Sequence, residues 1–158
     1  MSVPPEYRPT RLFTIEQANA TLPLVRAITT DLATLAREVM ERRHRLALLT
    51  AGRDMKAGDP YVEELAQTEA DLEKDTLRLQ GYVDELRELG VEAKGAIDGL
   101  VDFPSMMDGR LVYLCWRLGE PEVLHWHELE AGFAGRQPLT AGSVPEGFGS
   151  DLDDSYQG

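Results

Sequence analysis

The sequence predicts an α+β protein: a long antiparallel helical hairpin, coiled-coil-like, carrying a small antiparallel β-meander and ending in a disordered acidic C-terminal tail. Three observations predict it. Apolar residues recur every three or four positions between Val25 and Leu86, on either side of a segment with Gly52, Gly58 and Pro60. After Gly90 the period changes to two, and the last stretch, "GSVPEGFGSDLDDSYQG", has no periodic apolar face. One domain is expected over residues 1–140, with the hairpin at 12–90, the sheet and a C-terminal loop at 91–140, and a disordered tail at 141–158.

The first ten residues are Pro-rich and read as a disordered or extended arm. Thr14 and Gln17 have capping-box spacing, in which a hydroxyl and an amide satisfy the first free N–H groups of a helix. Pro23 removes a helical hydrogen bond, and Thr21 is placed to cap a fresh helix, so a kink or break is expected near Leu22. Val25, Ile28, Leu32, Leu35 and Val39 then form a seam that continues, after Arg42, with Leu46 and Leu49. Past the turn at 50–60 the seam resumes with Val62, Leu65, Leu72, Thr76, Leu79, Val83 and Leu86, interrupted by Glu69 and stopped by Gly90. Each helix should run about 28 residues, about 40 Å. A hairpin buries one narrow stripe per helix, so the rest of the chain, a second copy or both must cover it, and a homodimer is the simplest solution.

"VEAK", "GLVDFP", "RLVYLCWRL" and "EVLHWHEL" are the strand candidates. Asp108-Gly109 is a two-residue hairpin signal, and Gly119-Glu120-Pro121 marks the next turn. Alternation puts Val101, Phe103, Val112, Leu114, Trp116, Leu124 and Trp126 on a face to be buried. Leu100, Asp102, Leu111, Tyr113, Cys115, Arg117, Val123, His125 and His127 fall on the other.

Composition narrows the function. Twenty-eight acidic against sixteen basic residues give a formal net charge of -12, which repels a phosphate backbone or an anionic membrane surface, so neither nucleic acid nor membrane is expected as a partner. The single cysteine excludes an internal disulfide and suits a reducing compartment. No signal-peptide pattern and no apolar run of membrane-spanning length occurs, so a cytoplasmic location is expected. There is no Gly-rich phosphate loop, G-x-S-x-G elbow or C-x-x-C pair.

Chemistry is best sought on the polar face. A two-residue turn at Asp108-Gly109 pairs Met107 with Arg110 and Asp102 with Cys115; a turn centred on Glu120 pairs Cys115 with His125 and Tyr113 with His127. Opposed side chains start about 5 Å apart, close enough for longer ones to converge on one ion. Asp102, Cys115, His125 and His127 are therefore the candidate ligands of a divalent transition metal, iron, zinc or copper. Two imidazoles and a carboxylate suit Fe(II), and an added thiolate favours Zn(II). Tyr113 and Arg117 would line the pocket, Arg117 holding a small anionic ligand. The competing reading has no metal: Cys115 is a small buried hydrophobe, the histidines are hydrogen-bonded under the C-terminal loop, Asp102 pairs with Arg110 or Arg117, and the chain is a non-enzymatic dimeric assembly module. Glu41 and His44 make an E-x-x-H step that lacks the second copy a di-iron bundle requires.

The segments "FTIEQANATLPLVR", "GLVDFP" and "DGRLVYLCWRLGEPEVLHWHELEAGFAGRQPL" resemble the bacterial family DUF2203 over about residues 12–139. The resemblance implies the same fold, assigns no activity, and points to Asp102, Arg117, Glu120, Trp126, His127, Gly135 and Arg136 as positions in the matching segments.

Overall fold

A computed structural model describes residues 9–51 and 60–139. The expected N-terminal arm, most of the turn at 50–60 and the tail from 141 onward lie outside the described residues. Two helices, α1 (Ile15–Thr50) and α2 (Pro60–Glu88), precede a five-stranded antiparallel meander. Its strands are β1 (Glu92–Gly95), β2 (Leu100–Met107), β3 (Arg110–Arg117), β4 (His125–Glu128) and β5 (Gln137–Pro138), each paired with the next. No helix among the described residues is long and apolar enough to cross a membrane.

Helix α1 begins where the capping box predicts: Thr14 Oγ1 accepts from the Gln17 N–H at 3.1 Å and Gln17 Oε1 from the Thr14 N–H at 3.0 Å. It does not break near Leu22. Pro23 lies inside a 36-residue helix, and Thr21, expected as a cap, instead donates to the Gln17 carbonyl at 2.9 Å. The reason is tertiary: Ala18, Leu22, Val25 and Ile28 are all buried in the core, so continuing the helix secures more apolar burial than the roughly 3 kcal/mol that an interior proline costs. Helix α2 stops at Gly90, whose φ of +88° is open to glycine, and Val91 N–H returns to the Leu86 carbonyl at 2.9 Å. The antiparallel pairing is fixed by Arg42 on Asp75 at 2.7 Å and Arg43 on Thr76 at 2.8 Å.

The core lies between the first half of the hairpin and one face of the sheet. Phe13, Leu22, Val25, Ile28, Leu32 and Leu86 pack against Val101, Phe103, Val112, Leu114, Trp116 and Trp126. The sheet thus covers the helices of its own chain. Before β4 the expected alternation is reversed, since Val123 is in the core and Leu124 is 44% exposed. The strand starts only at His125, and the irregular segment before it is turned by a hydrogen bond of 2.7 Å from the Val123 N–H to Asn19 Oδ1. Farther along the hairpin a second cluster, Leu35, Val39 and Leu72, contains helix residues alone.

Candidate metal centre

Register builds the site. Asp108 (φ 53°) and Gly109 (φ 77°) both adopt the left-handed conformation that a two-residue hairpin of the twist-matched type needs, and Met107 pairs with Arg110. Asp102 then faces Cys115 across β2 and β3, Cys115 faces His125, and Tyr113 faces His127, all as the sequence predicts. The turn between β3 and β4 is held by Glu120, whose carboxylate accepts from the Arg117 N–H at 2.8 Å while its carbonyl accepts from Trp116 Nε1 at 3.0 Å.

This polar face is not a solvated one. Asp102 and His127 are each 2% exposed and Cys115 is fully buried. Ligand atoms of Asp102, Cys115 and His127 all lie within 4.8 Å of one another. His127 Nε2 sits 3.0 Å from both carboxylate oxygens of Asp102, and its Nδ1 sits 2.6 Å from the Glu128 carbonyl. With acceptors at both ring nitrogens, the imidazolium is the favoured form: burial pulls its pKa down, but the hydrogen bond and charge of Asp102 and the Glu128 carbonyl outweigh burial and leave it raised. The Cys115 thiol is pushed up to about 12, first by burial and then by the charge of Asp102. Cys115 is thus held as a thiol and His127 has no nitrogen left to take its proton, so a Cys/His nucleophile is not what these residues form.

His125 does not join them. Its Nδ1 meets the Nη2 of Arg136, which also donates to Glu120 Oε2. An arginine can only donate, so His125 Nδ1 is the acceptor and the ring is neutral; burial and then the Arg136 charge lower its pKa, opposed by Glu120. The two-histidine, one-carboxylate arrangement expected for iron is therefore not assembled, because β4 places the His125 ring toward the C-terminal loop. Arg117 is half exposed, 3.8 Å from Asp98, with its guanidinium 5.5 Å from the Phe133 ring centre. Tyr113 is buried, its hydroxyl donates to Glu92 at 3.0 Å, and its ring centre lies 5.4 Å from that of His127. Arg110 pairs with Glu128 at 2.6 Å and leaves Asp102 to His127. Glu41 and His44 are exposed on α1, apart from this face.

Sequence reading missed Glu92, which register sets opposite Asp102. The alternation in "VEAK" carries that signal once β1 is paired with β2. It also missed β5, whose two residues are too short to show any period. Arg136, placed on the far side of a short helical turn at Phe133–Gly135, is a part-buried cation with its guanidinium 4.7 Å from the Phe133 ring centre. Its Nη1 has no hydrogen-bond partner among the described residues.

No curated protein and no solved structure matches the chain. A family model described as "Uncharacterized conserved protein (DUF2203)" matches residues 11–139, from the segment before the helix cap through Arg136 and the last strand. With most of its length covered, including every residue of the buried cluster, the chain belongs to the DUF2203 family.

Proposed function

We propose that this protein binds a divalent transition metal through Asp102, Cys115 and His127, with zinc the preferred ion. The observation that carries the reading is the approach of a carboxylate, a thiol and an imidazole to within 4.8 Å of one another in a site closed to water. Thiolate, imidazole and carboxylate together are a zinc donor set, with metal–ligand distances of about 2.0–2.3 Å. The hydrogen bond that His127 Nδ1 makes to the Glu128 carbonyl fits the support a metal-bound histidine needs, leaving Nε2 as the ligand. Binding would displace the proton on Nε2 and the thiol proton of Cys115, so affinity rises with pH. Three protein ligands leave a fourth position on the ion.

A second reading has one observation of its own: the Asp102–His127 pair is already complete, both carboxylate oxygens lying 3.0 Å from Nε2. In that reading the pair specifies the sheet and no metal is bound. Elemental analysis of untagged protein, purified without chelator and then reconstituted with Zn(II), Fe(II) and Cu(II), separates the two. Metal near one equivalent in the wild type and in His125→Ala, but lost in Cys115→Ser and His127→Ala, is the expected result. Metal absent after reconstitution, or retained in Cys115→Ser and His127→Ala, overturns it.

A further inference from the structure

The sheet covers only part of the hairpin. Past Val39 on α1, and before Leu72 on α2, the buried contacts are between the helices alone, so this part of the hairpin is a two-helix arm. Along one side of the arm runs a groove of about 480 Å³. Leu46, Leu49 and Leu65 form its apolar surface, Arg45 stands on the α1 wall and Glu64 on the α2 wall. Leu49 is 40% exposed, an apolar side chain left at the surface of a helix whose seam is buried from Val25 to Val39.

The two helices of the arm carry opposite charge well beyond these two residues. Residues 35–50 hold four arginines against two glutamates, and residues 60–76 hold six acids against Lys74. Within the hairpin Arg42 meets Asp75, whereas among the described residues Arg45 pairs with Glu41, one turn back on its own helix. A surface with one basic and one acidic wall is self-complementary under one kind of two-fold rotation. An axis parallel to the helices lays α1 of each copy over α2 of the other, antiparallel and at the same level, so basic meets acidic twice. A two-fold axis in the contact plane and across the helices would set α1 on α1 and α2 on α2, like charge on like.

We propose that this arm is the interface with a second copy of the chain, the two arms closing into a four-helix bundle with Leu46, Leu49 and Leu65 of both copies at its centre. Charge complementarity selects a second copy as the occupant, and the antiparallel order of neighbouring helices is the one that packs with short connections. The arm is separate from the Asp102 cluster, so this interface and the metal reading stand or fall independently.

The test is sedimentation equilibrium across the micromolar range on the full chain, its Leu49→Asp variant, and the charge reversals Arg45→Glu and Glu64→Arg. All three positions are on the arm's surface side or rim, and far-UV circular dichroism confirms that each variant keeps its helix content. The wild type is expected to be a dimer, Leu49→Asp to weaken it about 30-fold or more, and each reversal to weaken it at low salt. Mixing Arg45→Glu with Glu64→Arg is expected to form a heterodimer stronger than either variant alone, because both wall contacts then pair opposite charges, one as in the wild type and one with the signs exchanged. A wild type that stays monomeric overturns the proposal. A dimer insensitive to Leu49→Asp overturns it as well, and one that responds to Leu49→Asp but to neither reversal overturns this two-fold arrangement.

Discussion

At the scale of single residues, Asp102, Cys115 and His127 set one another's protonation. The buried thiol, with its pKa pushed up to about 12, carries almost no thiolate at neutral pH. Native metal-free protein should therefore resist a thiol-specific alkylating reagent and react at Cys115 only after denaturant unfolds it, as mass spectrometry would report; fast labelling of the native state would contradict the burial. The raised pKa of His127 has a definite sign. In chelator-treated protein the stability contributed by the Asp102–His127 pair is fully present below the ordinary histidine value of 6.5 and is lost as pH rises through the folded-state value. Urea midpoints should show this fall in the wild type and a flatter profile in His127→Gln. Replacing Asp102 by Ala leaves a buried imidazole without its carboxylate and should cost about 2–3 kcal/mol near neutral pH. The loss should grow on acidification, because charging His127 without Asp102 means burying an unpaired imidazolium.

At the scale of the element, Pro23 is the informative case. Local propensity marks a break, and the core overrides it, because Leu22 and Val25 on either side are 3% and 0% exposed. Pro23 itself faces solvent, so Pro23→Ala should restore a backbone hydrogen bond without disturbing packing and stabilise the protein by about 1–3 kcal/mol in thermal or urea unfolding. No gain would mean that the proline's restriction of the unfolded chain offsets the recovered bond. The strands behave differently. Their register was legible because Asp108-Gly109 permits one tight turn with both residues at positive φ, and a single turn then fixes every cross-strand pair from Met107–Arg110 to Leu100–Arg117. The segment before β4 was not legible, because Val123 answers to Asn19 on a helix and not to the alternation of its own strand.

At the scale of the whole molecule, one face of the sheet packs on the helices and the helical arm extends beyond it. On its other face Asp102, Tyr113, Cys115 and His127, set on one side by strand alternation, are buried together. Added Zn(II) at a hundredfold excess over its dissociation constant should stabilise the native state by about 2.7 kcal/mol, since the unfolded chain does not hold the three ligands together. Scanning calorimetry of wild type and Cys115→Ser with and without metal reads this directly, and equal shifts in both would place the metal elsewhere.

What the sequence determined by itself is what local chemistry can encode: the capping box at Thr14, the two apolar seams, the helix stop at Gly90 and, through the turns at Asp108-Gly109 and Glu120, the row of Asp102, Cys115 and His125 across three strands. What only the tertiary structure decided is where the side chains of that row go. His127, beside the row, turns to Asp102, while His125, within it, turns away to Arg136 from a loop eleven residues on. Strand alternation assigns a face but not a side-chain direction within it, and that direction is set by which charged partner the folded chain brings near.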